Sequence, residues 1–480
     1  MERLQHDLAG QRVELDAQQE ERAGMDCQGI LKQYSDKIGR FSEDRLRLLA
    51  NCKSSQDETM LAVTQEVVEA VKGNLQCFHY SQKKKAEQEL FVYTGTHWKR
   101  VNQQDFQDFV SQCARQTGIP GKYLCRPSFI NGLFEQIAVT LMKGKEEVKH
   151  GDVWINFRNC TLCIQPNGKK NVREHRPEDY FMYVLPYDYD PNAICPRFEV
   201  FLQQILPNKD TRQLLREYVA SSFVREFHDE AILNCVGDGS NGKSTLFYVL
   251  QQVFGEENYS EVTLSDLCNN DERRARIEYK LLNFSEEADP HIDNSMFKRL
   301  ASHQAVTIEQ KYKDSREMTD YARIICACNK LPEGESNYAF YRRNIIIPFN
   351  VVIPREKADK QLRYKLRDER PGIFNWLIEC LPTLMERQGY TPCKEADDAL
   401  ESYMVQMDSV RMFYHRCKPN EEYPTPSSDL FSLYTQMCYA ENIKRTGRTN
   451  FFLQIEKLMG KKRIMMHGNK FSFPITFIED

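Results

Sequence analysis

The chain has 480 residues, too many for one hydrophobic core, and its length calls for about three or four domains. Hydrophobic residues at 41% and charged residues at 28% fit a water-soluble globular protein, and no apolar run approaches the ~18 residues that a membrane span needs. A net charge of −4 excludes a uniformly basic surface, so any contact with nucleic acid has to be local. The opening residues, Met1 to His6, lack the apolar stretch of a secretory signal, which predicts a cytoplasmic protein with its sixteen cysteines reduced. The one Cys-x-x-Cys, Cys160 to Cys163, lies in a strand-like run with no second pair at zinc-ligand spacing.

Residues 1–75 read as helices, with Leu4, Leu8, Ile30, Leu31, Tyr34, Ile38, Phe41, Leu46 and Leu49 at three- and four-residue steps. Ser42 ahead of Glu43 and Asp44 predicts an N-cap, and a further helix over 57–72 stops at Gly73. This segment predicts a small helical module or partner-binding arm. Residues 76–207 read as a mixed α/β domain, in which the runs 89–93 and 97–101 flank the turn Thr94-Gly95-Thr96 as a hairpin. The basic run Lys83-Lys84-Lys85 is read as a solvated charge run. Helices over 196–205 and 211–227 then deliver the chain to its most informative stretch.

That stretch, 236–245, reads Val-Gly-Asp-Gly-Ser-Asn-Gly-Lys-Ser-Thr, the form of a phosphate-binding loop. The apolar run 231–236 leads in as a buried strand and 245–250 leads out as a helix, the context that the motif needs. Glycines let backbone N–H groups turn inward on phosphate oxygens, and the helix N-terminus adds partial positive charge. Gly237, Asp238, Gly239, Ser240, Asn241, Gly242, Lys243, Ser244 and Thr245 are therefore the candidate ATP cradle, with Lys243 on the β- and γ-phosphates and Ser244 on Mg²⁺.

Downstream, the strand-like run 278–285 ends in Glu286 and Glu287. Adjacent acids at a strand end beside a triphosphate divide the work: one holds Mg²⁺ and its water, and the other polarises the attacking water. Position makes Glu286 the metal-side acid and Glu287 the base. A helix over 294–301 carries Lys298, and 306–316 turns like a hairpin whose tip holds Lys311, Tyr312, Lys313 and Arg316. The buried strand 322–328 ends in Asn329, at the edge where doubly wound sheets bind ligands. Arg342 and Arg343 precede another apolar strand, 344–349. Beyond Pro354 the chain is helical and charged to 407. Residues 409–480 read as a compact unit with helices over 410–417, 429–441 and 450–459, a basic stretch 444–448, and a hairpin turning at His467-Gly468-Asn469. It looks like a winged helix, and docking of a protein partner and contact with DNA both stay open for it.

Taken in order, these pieces resemble the helicase half of the phage/plasmid and poxvirus primase-helicases, a branch of the superfamily 3 ring helicases in the AAA+ class. The resemblance runs from about residue 90 to 473 and rests on Gly237 to Ser244 as phosphate loop and on Glu286 and Glu287 as acidic motif. It further assigns Lys298, Lys311 and Lys313 to DNA, Asn329 with Lys330, Leu331 and Pro332 to the sensor segment, and Arg342 and Arg343 to the arginine finger, Arg343 being the first choice and Arg342 the second. One departure stands out: after Lys298 the family tends to show a glycine-containing turn, and this chain has Ala301-Ser302-His303-Gln304. Residues 1–75 are also too few for a priming polymerase.

The resemblance implies an AAA+-type P-loop ATPase core of α/β class with a helical N-terminal segment, a mixed α/β preceding domain and a C-terminal winged helix. Expected borders are 1–75, 76–207, 208–354 for the motor, 355–408 for a helical connector, and 409–480. It implies an ATP- and Mg²⁺-dependent helicase or translocase on single-stranded or forked DNA, assembled as a homo-oligomer, a hexamer, in a bacterial or infected host cell. A replication or loading partner would dock through 1–75 or 409–480. The rival expectation is a nucleotide-switched initiator or defence scaffold, in which hydrolysis only resets a conformation.

Overall fold

Five strands between Ile232 and Pro348 carry the architecture: β1 (Ile232–Val236), β2 (Tyr259–Ser260), β3 (Leu282–Glu286), β4 (Arg323–Cys328) and β5 (Asn344–Pro348). They form one sheet in the order β5-β1-β4-β3-β2, and every neighbouring pair is parallel. The structure is a computed structural model that describes residues 26–52, 54–79, 88–142, 151–224, 227, 229–286, 292–309, 315–331, 334, 337–354, 356, 359–466 and 470–478. Leu4, Leu8, Lys83-Lys84-Lys85 and the turn 467–469 lie outside them.

Parallel strands are covered on both faces, so they read as continuous apolar runs. Successive side chains still point to opposite faces. Leu233, Cys235, Ile325 and Ile347 enter one core, and Ile232, Ile324, Cys326 and Ile346 enter another. Helices Lys209–Ala220, Lys243–Phe254 and Arg370–Ile378 fill the first, while Leu264–Asn269 and Asn294–Ala301 fill the second. The helix expected over 211–227 ends at Ala220, because Ser221 and Ser222 turn their hydroxyls back onto the carbonyls of Tyr218 and Val219.

The first core crosses the borders expected for the motor. It includes Ile155, Phe157 and Phe198 from before 208 and Leu381 and Leu384 from the expected connector, and Phe157 meets Phe374 edge-on at 4.7 Å between ring centroids. Residues 30–141 keep their own core around an antiparallel sheet of Leu75–His79, Gln88–Tyr93 and Trp98–Val101. That core joins both sides of the border expected at 75, since Val63 and Val67 share it with Leu90, Val92 and Phe106. Ser42 does cap its helix, accepting from the Arg45 N–H at 3.3 Å.

The C-terminal unit has helices Ser409–His415, Ser427–Ala440 and Arg448–Met459 and a three-stranded sheet of Thr425–Pro426, Lys470–Phe473 and Ile464–Met466, with Phe413, Tyr434 and Phe451 buried between them. Among the described residues no helix is long and apolar enough to cross a membrane.

Candidate functional site

β1 hands the chain to the glycine-rich loop at the carboxyl edge of the sheet. The Gly237 N–H donates to the Cys328 carbonyl at 3.2 Å, so the loop leaves flush with β4, and the segment after β5 closes its other side. There the Phe349 N–H donates to the Val236 carbonyl at 2.7 Å, and the Ile353 N–H donates to the Ser240 carbonyl at 2.8 Å. Gly239, Ser240 and Gly242 take positive φ of 101°, 50° and 86°. A Cβ on Gly242 would lie 2.6 Å from Ile205 Cγ2, and one on Gly237 would lie 2.6 Å from the Phe349 carbonyl oxygen. Both positions exclude a side chain. Asn241 is buried and donates to that same carbonyl at 3.3 Å.

Gly242 opens the helix Lys243–Phe254, whose first N–H groups have no partners within the helix. The Lys243 ammonium folds back and donates to the Gly237 carbonyl at 2.5 Å. Burial holds its pKa below the ordinary lysine value. Ser244 and Asp238 are exposed and Thr245 is half-buried. The loop is thus a ring of backbone closed by a cation that sits on a neutral acceptor.

Two more predicted residues share this edge. Glu286 ends β3, in register with Ala327, which is itself level with Cys235 of β1. With neighbouring strands about 4.8 Å apart, its backbone stands about 10 Å from the loop's strand. It is exposed, and among the described residues its carboxylate makes no hydrogen bond or ion pair. Asn329 follows Cys328, the partner of Val236, and is also exposed. Glu287 lies outside the described residues. Beside the end of β5 opens a cavity of about 540 Å³, lined by Asn208, Pro348, Asn350, Lys394, Asp398 and Ser402 among others.

The arginines stand at the opposite edge. Arg343 precedes Asn344, whose register partner is Ile232, while the loop begins at Gly237. At about 3.3 Å per residue, roughly 20 Å of strand separates them, more than an arginine side chain can reach. Arg343 is buried and held by Ser302 Oγ at 3.1 Å, the Ala339 carbonyl at 2.6 Å and Glu230 at 2.8 Å. Arg342 shares Glu230 at 2.7 Å but leaves 43% of its side chain exposed. Glu230, just ahead of β1, organises both arginines, and no local pattern in the sequence signals it.

Lys298 is half-buried on helix Asn294–Ala301. The turn after it resolves the departure seen in the sequence: His303 adopts φ 48°, the left-handed conformation a glycine would take, and its ring stacks on Tyr321 at 5.2 Å. Strands Val306–Ile308 and Arg316–Met318 pair as the expected hairpin. Lys311, Tyr312 and Lys313 lie outside the described residues. Arg316, expected at the tip, instead sits on the return strand, buried against carboxylates.

Comparison with known proteins meets this geometry at both segments. A family described as "D5 N terminal like" matches residues 57–207, and a family of unknown function, DUF5906, matches 235–343, from inside β1 to Arg343. The apo structure of the NrS-1 C-terminal region (305–718) is 12% identical and covers 87% of this chain and 100% of that chain at a TM-score of 0.51. Its A form is 13% identical, covering 87% and 98%, at 0.49. The chain therefore carries a segment like the D5 N-terminal family followed by a DUF5906 segment on the parallel sheet. The match to NrS-1 supports a shared fold, mixed α/β around a parallel sheet. The D5-like segment spans two cores: its first part packs in the separate core of 30–141, and the part from 153 onward packs against the parallel sheet.

Proposed function

We propose that the chain is an ATP-hydrolysing DNA helicase or translocase of the P-loop AAA+ type, working as a hexameric ring on single-stranded or forked DNA in the replication of a virus, phage, plasmid or other mobile element. One observation carries the reading: a glycine loop at the carboxyl edge of a parallel sheet, with two glycines where a Cβ would crowd its neighbours and a lysine parked on a loop carbonyl. Moving Lys243 from that carbonyl to a phosphate exchanges a neutral acceptor for a charged one, a stronger hydrogen bond. Ser244 and Glu286 offer exposed oxygens of the kind Mg²⁺ takes, and the ion, when bound, neutralises phosphate charge. Glu287 is assigned as the base and Asn329 as a hydrogen-bond donor to the γ-phosphate. The cavity beside β5 has room for the nucleoside.

The sheet's length supports an arginine acting in trans, because neither Arg342 nor Arg343 can reach the loop of its own chain. Arg342, the more exposed, is the better candidate to enter a neighbour's site, with Arg343 holding the segment in place. Lys298, Lys311 and Lys313 are the proposed DNA contacts, and a ring would gather such charges in one channel whatever the net charge outside. The helix and strand order of 409–478 supports a winged-helix reading for the tail. The test is the ATPase rate with and without single-stranded DNA, together with unwinding of a forked duplex, against Lys243→Ala. DNA-stimulated turnover and unwinding, both lost in the variant, are expected. Turnover that ignores DNA and separates no strands would favour the nucleotide-switched initiator or scaffold.

A further inference from the structure

Four charged side chains from three distant segments meet under the base of the hairpin. Arg316 lies opposite Ile308 in the strand pair, and its guanidinium reaches Glu278 at 2.5 and 2.6 Å and Glu89 at 2.9 Å. Glu89 belongs to the strand Gln88–Tyr93 of the N-terminal sheet, 227 residues away in sequence. Arg100, on the strand paired with it, reaches the same two carboxylates, at 3.3 Å for Glu278. The Tyr279 hydroxyl donates to Glu89 at 3.3 Å, and its ring meets Phe91 edge-on at 5.8 Å. The side chains of Glu89, Glu278 and Arg316 are 4%, 5% and 8% exposed, so among the described residues two carboxylates and two guanidinium groups meet largely out of water.

Burying ion pairs is poor value as stabilisation, because desolvation offsets most of the attraction, but a balanced cluster admits only one register of its parts. We propose that Arg316 is a positioning residue, and that this cluster fastens the hairpin to the N-terminal sheet so that the two move as one body. A displacement of the hairpin then has to carry the sheet Leu75–Val101 with it, or break the cluster and strand a buried charge. The functional consequence rests on the reading of the hairpin as the DNA grip; the mechanical link does not.

The test uses the full chain and a charge-balanced variant, Arg316→Met with Glu278→Gln, which removes one charge of each sign, beside Arg316→Lys. Native-state hydrogen exchange in the absence of nucleotide reads the link directly. In the parent chain the amides of 88–101 and 306–318 should open together across a denaturant series, and in the balanced variant the hairpin should open about tenfold more readily while 88–101 keeps its protection. Separate opening of the two segments in the parent chain overturns the proposal. With forked DNA, the balanced variant should keep its basal ATPase and separate several-fold fewer base pairs per ATP, with partial rescue by Arg316→Lys, whereas unaltered coupling overturns the positioning role. If Lys311→Ala with Lys313→Ala unwinds normally while the balanced variant does not, the DNA-grip reading fails and the mechanical link stands.

Discussion

The two edges of the central sheet are built to opposite rules. At the carboxyl edge Glu286, Ser244 and Asn329 are exposed, and the Lys243 ammonium rests on a loop carbonyl. At the amino edge Arg343 is fixed by three bonds within the chain and shares Glu230 with Arg342. On the proposed reading the carboxyl edge receives the nucleotide, and the amino edge is a support that presents Arg342, with 43% of its side chain exposed. On that reading a single copy carries two half-sites at opposite edges, the arrangement that a head-to-tail ring uses.

The comparison breaks first at Lys243. Lys243→Ala should reduce ATP turnover by about 10²–10³-fold or more, and an assay in which turnover survives removes the carboxyl edge from the account. Glu287→Gln should retain ATP and lose hydrolysis to a similar degree, while Glu286→Gln should instead raise the Mg²⁺ concentration that turnover needs. Nucleotide-binding and turnover assays separate the two, and the opposite pattern swaps their roles. At the amino edge Arg342→Ala should lower turnover by ~10³-fold with the fold intact. Arg343→Ala should in addition destabilise the chain by about 2 kcal/mol, because a buried charged donor and its partners lose their bonds. Thermal melting of both variants distinguishes bearer from support. The smallest effect is expected from Gly242→Ala, at about 1–3 kcal/mol of stability, since φ 86° and the contact with Ile205 both oppose a Cβ.

What the sequence made legible follows the range of the interactions. The loop 236–245 could be read because strand, glycines, lysine and helix lie within about twenty consecutive residues, and the glycines stand where the backbone turns left-handed. The strand ends carrying Glu286 and Asn329 were readable as apolar runs stopping at polar residues. The expected border at 75 falls within one packed core, because helix Ser55–Ala70 gives Val63 and Val67 to the core of the sheet that follows it, a contact that no local pattern reports. Nearness in sequence to Lys311 and Lys313 suggests a tip position for Arg316, whereas its partner Glu89 is 227 residues away and no periodicity reports such a pair. Glu230 escaped for the same reason, as its role comes from the return of β5 alongside β1.

The claim that two copies complete one site is tested most directly by mixing inactive subunits. Lys243→Ala chains lack a working loop and Arg342→Ala chains lack the exposed arginine, and each alone should hydrolyse almost no ATP. In assemblies shown to contain both, some junctions pair an intact loop with an intact arginine, so the ATPase rate should recover to a measurable fraction of the parent rate. No recovery in demonstrably mixed assemblies would contradict the account.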